Sequence, residues 1–141
     1  MRRVRPILLV WFLLASVLVA ACASTGSPAA SATRVEVKLS DALQIDLAVI
    51  TLKAGSPVTF VVTNAGAIDH EFVIGDQQAQ DDHENEMAAM PMTMDEPNAI
   101  SVKAGTTKEL TYTFKDPGTY LAGCHVAGYY LAGMKATITV Q

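Results

Sequence analysis

The chain has 141 residues with 10 Lys and Arg, 14 Asp and Glu, 3 His and a formal net charge of −4. That length suits one ordinary domain and not two. The acidic balance argues against a nucleic-acid binder, whose affinity comes from basic side chains on phosphates.

Arg2, Arg3 and Arg5 precede an almost wholly apolar run from Ile7 to Ala21, and Cys22 follows. A basic start, an apolar stretch too short for a comfortable membrane span and small residues at its end predict an export signal. An uncleaved N-terminal anchor is the alternative. Val19-Ala20-Ala21-Cys22 resembles a bacterial lipobox, which implies cleavage before Cys22 and lipidation of its thiol. Residues 1–21 are therefore read as a lipoprotein signal peptide and 22–33, small and polar, as a flexible tether. Residues 34–141 are read as the folded domain. The expected place is the extracytoplasmic face of a cell membrane, in the periplasm or at the cell surface, held by the lipid. Acyl chains contribute about 0.8 kcal/mol per buried methylene, and more than one chain gives stable attachment. Without Arg2, Arg3 and Arg5 the balance is 7 basic against 14 acidic residues, a net charge of −7 that suits cationic partners or metal ions.

From Arg34 onward the pattern is all β. Val35, Val37 and Leu39 alternate with charged residues, and Leu43, Ile45 and Leu47 repeat the alternation. A turn at Lys53-Ala54-Gly55 leads to the β-branched run Val58 to Thr63, Asn64-Ala65-Gly66 marks another turn, and His70 to Ile74 reads as a short strand. After an insertion, Ile100 to Val102 leads into a second Lys-Ala-Gly turn. Thr107 to Phe114 then places Leu110, Tyr112 and Phe114 on one side. Asp116-Pro117-Gly118 turns the chain, and Thr119 to Cys124 and Met134 to Val140 close the domain. Short strands at this spacing predict a sandwich or barrel.

The insertion, Asp76 to Ala99, predicts a short helix with Asp76 as N-cap and Pro91 as stop. Ala79, His83, Met87 and Met90 would share one helix face. From Ala54 to Val102 there is no Lys or Arg, while Asp69, Glu71, Asp76, Asp81, Asp82, Glu84, Glu86, Asp95 and Glu96 are acidic.

Three local patterns carry candidate chemistry. His70 opens a strand after a Gly-containing loop. Cys124, the lone thiol if Cys22 is lipidated, ends one. Met134, after Ala132-Gly133, opens another. A free thiol outside the cell calls for a reason, and metal ligation is one; a buried inert side chain is the other. The ten-residue step from Cys124 to Met134 lets the chain turn at one end of a sandwich, so that ligands from two strand ends converge on His70.

These patterns resemble the cupredoxin, or blue-copper, family across the whole of residues 34–141. The resemblance implies a Greek-key β-sandwich. It also implies one copper ion held by His70, the Cys124 thiolate and an axial Met134, where the family has two imidazoles, one thiolate and a long methionine. The family's second histidine, five residues after the cysteine, is here Tyr129, and the proline usual before the Gly-His is Ala127. His125 adjoins Cys124, and adjacent strand residues face opposite sides. It would therefore reach the metal only if the loop were remodelled.

The remaining nitrogen–sulfur–sulfur set is soft and favours Cu(I) over Cu(II). Four outcomes stay open: a Cu(I) site without efficient redox cycling; His83 swinging in as the missing imidazole; a fold kept for a non-metal interaction role; or a type 1-like site remodelled around Tyr129 or His125. Separately, Met87, Met90, Met92 and Met94 with His83 resemble the Met-rich segments of copper-handling proteins and suggest a second Cu(I) site. Thioethers need no deprotonation to bind Cu(I). No Ser-His-Asp set, close carboxylate pair or phosphate-cradling Gly loop is evident, so an enzyme is not expected. The expected role is electron transfer or Cu(I) handling with a redox or copper-handling protein partner.

Overall fold

A computed structural model describes residues 32–47, 51–91 and 94–141. The expected signal peptide, the tether through Ser31, the lipidation site Cys22 and Met92 lie outside these residues. Strand β1 (Thr33–Ser40) buries Val35, Val37 and Leu39 and exposes Arg34, Glu36 and Lys38, as the period of two requires. It pairs antiparallel with β2 (Gln44–Leu47) and parallel with β4 (Pro57–Asn64). β4 in turn pairs with β7 (Thr107–Thr113), giving a four-stranded sheet ordered β2-β1-β4-β7. The second sheet contains β3 (Thr51–Leu52), β9 (Lys135–Val140), β8 (Gly118–Gly123), β5 (His70–Gly75) and β6 (Ala99–Val102), in that order.

One buried cluster joins the two sheets. Val35, Val37, Phe60, Val62 and Leu110 face Phe72, Ile74, Ala122, Ile138 and Val140. Phe60 bridges the sheets, 5.4 Å from Phe72 and 6.4 Å from Phe114 by ring centroids. Each such fully covered side chain contributes about 1.5–3 kcal/mol relative to exposure. The architecture is the expected all-β sandwich. Both Lys-Ala-Gly turns place their glycine in the left-handed region, at φ 75° for Gly55 and 69° for Gly105. One expectation fails. Leu43 lies not in a strand but in the turn before β2, at φ 60°, with its side chain packed on the core. Apolar alternation carried the strand reading one step too far.

The insertion forms helix α1 (Gln77–Ala89). Asp76 caps it by accepting from the Ala79 amide at 2.9 Å, and the helix ends just before Pro91. Gln80 fixes the helix to the outer face of the second sheet: its Nε2 donates to the Val73 carbonyl at 3.0 Å and the Leu121 carbonyl at 3.2 Å. Among the described residues, no helix is long and apolar enough to cross a membrane.

Candidate metal centre

His70, Cys124 and Met134 are all fully buried at one end of the sandwich, Cys124 and Met134 within the inter-sheet core. The turn that delivers His70 is built by Asn64. Its Nδ2 donates to the carbonyls of Ile68 at 2.7 Å and Val102 at 2.9 Å, while its Oδ1 accepts from the Gly66 amide at 2.9 Å. His70 Nδ1 then lies 3.6 Å from Cys124 Sγ.

The other imidazole nitrogen settles the tautomer. His70 Nε2 lies 3.0 Å from Asp41 Oδ1, and Asp41 Oδ2 accepts from the Ala67 amide at 2.7 Å. The Ala67 hydrogen bond, helped by His70, holds the Asp41 carboxyl below its usual range. The carboxylate can only accept, so Nε2 carries a proton, and Nδ1 is the nitrogen turned toward the sulfur. A metal-ligating histidine is oriented in this way by a carboxylate on its far nitrogen. Sequence reasoning missed Asp41, which stands 29 residues away in the β1–β2 turn.

Cys124 follows β8 directly. Its Sγ accepts from the Glu71 amide at 3.3 Å, and burial pushes the thiol up, outweighing that hydrogen bond. The ligand loop closes on itself: the Cys124 amide donates to the Met134 carbonyl at 3.2 Å, and the Met134 amide to the Tyr129 carbonyl at 2.9 Å. A 3-10 turn at Val126–Gly128 precedes Tyr129. The half-buried Tyr129 ring lies 5.6 Å from the His70 ring at 43°. The position that holds the family's second imidazole is thus a phenol beside the first one.

Neither possible substitute is at this centre. His125 faces the opposite side of the sheet, buried under α1 and stacked on Tyr130 at 4.4 Å. Its Nε2 lies 2.8 Å from Gln80 Oε1 and its Nδ1 2.7 Å from Glu84 Oε2. Because Gln80 Nε2 is committed to two carbonyls, its Oε1 must accept from His125 Nε2. The Nδ1–Glu84 contact therefore shares one further proton. Burial pushes the His125 imidazolium down, against the pull of Glu84. His83 packs edge-on to His125 at 4.8 Å, with Nε2 3.6 Å from Glu71 Oε2. Burial pushes the Glu71 carboxyl up, against His83. His83 and Met87, with Met90 just past the helix end and Met94 beyond it, line a separate cavity.

Among the described residues, no three His, Cys, Asp or Glu side chains have the geometry to hold a metal. Of the three expected donors, His70 and Cys124 meet at 3.6 Å, and Met134 is buried with its carbonyl bonded to the Cys124 amide. A buried imidazole, a thiolate and a thioether would fit a soft monovalent ion such as Cu(I), and of these the imidazole is held in orientation by Asp41.

Residues 7–140 match the family of cupredoxin-like domains, and the chain belongs to that family. It is 37% identical over 117 residues to the copper-resistant cuproprotein CopI of Rubrivivax gelatinosus, covering 82% of this chain and 71% of that protein. Identity to the CopI of Pseudomonas aeruginosa is 32% over 149 residues, covering 82% of each. Among solved structures, the dithionite-reduced auracyanin of Roseiflexus castenholzii superposes with a TM-score of 0.67 at 28% identity, covering 80% of this chain and 99% of that one.

Proposed function

We propose that this chain binds one copper ion through His70, Cys124 and Met134, holds it as Cu(I), and serves copper handling at the extracytoplasmic face of a membrane. The observation that carries this reading is the His70 imidazole, fixed by Asp41 with its free nitrogen turned to the Cys124 sulfur 3.6 Å away. Copper would supply a soft, polarisable acceptor for the two sulfurs. The protein's own residues orient the imidazole, bury the donors away from water and must release the Cys124 proton. Tyr129 in place of an imidazole removes the donor that suits Cu(II), so storage or transfer of Cu(I) is favoured over rapid electron transfer. Similarity to proteins named for copper resistance supports the same direction. The lipobox-like Val19-Ala20-Ala21-Cys22 supports anchoring through Cys22, and a copper-handling protein is the expected partner.

Anaerobic titration with Cu(I) against a chromophoric competitor tests the reading. One tightly bound equivalent that disappears in Cys124→Ser is expected, with no intense thiolate-to-copper absorption after Cu(II) addition. Strong colour would transfer the protein to the electron-transfer class. An equivalent that survives in Cys124→Ser, with no other lost, would overturn the assignment of the centre.

A further inference from the structure

We propose that the cavity beside the C-terminal half of α1 is a second Cu(I) site, built from the thioethers of Met87, Met90 and Met94 and the imidazole of His83. The cavity, about 330 Å³, is lined by these four residues together with Glu86 and Glu96. His83 and Met87 stand one helical turn apart on the same face. Met90, the C-cap, leaves the helix in an extended conformation at φ −147°, and Met94 arrives from beyond Pro91. Four soft or borderline donors from two segments thus surround one opening.

Packing accounts for Met87 but not for Met90 or Met94. Met87 is covered, but Met90 is 64% and Met94 61% exposed. A methionine that fills a core is covered by it, whereas exposed thioethers around a concavity leave their sulfurs accessible to a soft cation. His83 supplies a second, independent sign. Its Nε2 and Glu71 Oε2 are both buried without a hydrogen-bond partner and face each other at 3.6 Å. Glu71 is only 2% exposed, and a buried carboxylate oxygen left unpaired costs free energy. A cation on His83 Nδ1, the nitrogen on the Glu86 side, draws the Nε2 proton toward Glu71 and closes that pair. The arrangement repeats the one at His70, where a carboxylate orients the nitrogen opposite the donor atom.

The donor chemistry selects the ion. Thioethers bind Cu(I) without losing a proton, and they hold Mg²⁺, Ca²⁺ or Zn²⁺ poorly. Glu86 and Glu96 on the cavity wall favour any cation, and Lys108, on the Met94 side, is paired with Asp95. The site shares no residue with the His70–Cys124–Met134 centre, so it stands or falls independently of copper binding there.

The test uses the full chain with Cys22→Ser in every sample, so that this thiol cannot contribute. Cu(I) is titrated anaerobically against bicinchoninate, and Ag(I) serves as a redox-inert stand-in for NMR of methyl-labelled methionine. Two equivalents are expected, falling to one in Cys124→Ser and to one in the combined Met87→Leu, Met90→Leu and Met94→Leu variant. Ag(I) added to the Cys124→Ser chain should shift the methyl signals of Met87, Met90 and Met94. Should the triple variant not fold, the exposed single changes Met90→Leu and Met94→Leu are each expected to weaken the second equivalent at least tenfold. A single equivalent that vanishes in Cys124→Ser overturns this inference and upholds the first centre. A single equivalent that survives Cys124→Ser and vanishes in the methionine variant upholds it and overturns the first centre. Unmoved methyl signals, or methionine variants that bind as tightly as the parent, overturn it outright.

Discussion

Replacing Asp41 with Asn separates orientation of the His70 ring from every other feature of the centre. The substitution keeps size and shape but gives the side chain one donor and one acceptor. Asp41 accepts twice, from His70 Nε2 at 3.0 Å and from the Ala67 amide at 2.7 Å. Asn can satisfy only one of these. If its oxygen keeps Ala67, its NH₂ meets His70 Nε2, and the ring relieves the conflict by moving its proton to Nδ1. That proton then points at Cys124 Sγ, 3.6 Å away, and blocks the nitrogen that would bind metal. Loss of such an outer-shell partner lowers metal affinity by about 10–100-fold. Competition for Cu(I) reads the affinity, and nitrogen NMR of the His70 ring reads the tautomer, expected as Nε2–H in the parent and Nδ1–H in Asp41→Asn. A folded variant that binds Cu(I) within twofold of the parent, with Nε2 still protonated, would refute the reasoning.

Gly66→Ala should reproduce that affinity loss by steric means. Its Cβ would fall 2.0 Å from Asp41 Oδ1, so the carboxylate must swing off His70 and leave that buried Nε2–H unpaired, at a further cost of about 1–3 kcal/mol in unfolding free energy. Tyr129→His returns an imidazole beside His70 and is expected to produce intense absorption with Cu(II); a folded, colourless variant would place residue 129 away from the metal. Gly123→Ala forces a methyl within 2.5 Å of Gln80 Oε1 and 2.7 Å of the Tyr130 ring, an overpacking cost of about 1–3 kcal/mol in urea unfolding; an unchanged midpoint would contradict the packing of α1 on β8. Burial raises the Cys124 thiol, so the metal-free chain holds that contribution to stability in full below the ordinary thiol value of about 8.5 and loses it as pH rises through the folded value. Cu(I) affinity should conversely climb roughly tenfold per pH unit near neutrality, one proton leaving per ion, and Cys124→Ser should remove the slope.

Much of this architecture was legible because it rests on local periodicity. The alternation at Val35, Val37 and Leu39 gave β1, and the bracket of Asp76 and Pro91 gave α1. Helical spacing put His83 and Met87 on one face. Alternation also turned His125 away from Cys124, though it could not foresee Gln80 and Glu84 as its destination. What remained hidden is what only tertiary folding creates. Asp41 meets His70 through a turn whose glycine leaves room for it, and nothing in the neighbourhood of Asp41 marks it. The same holds for Glu71 and His83, brought face to face by a helix docking on a sheet. Leu43 misled because an apolar side chain can reach the core from a left-handed turn as well as from a strand.

Gln80 ties a helix of sequence-distant origin to two strands at once, and this makes the molecule's two broad sides unequal. One side of the sandwich is roofed, with polar side chains sealed beneath the roof; the other presents the charged outer rows of β1. Trimming the 76–99 segment would not simply shorten a loop. It would open Glu71 and His125 to water and take from the Val73 and Leu121 carbonyls the amide that bridges them, so a minimal version of the domain would need that whole surface redesigned.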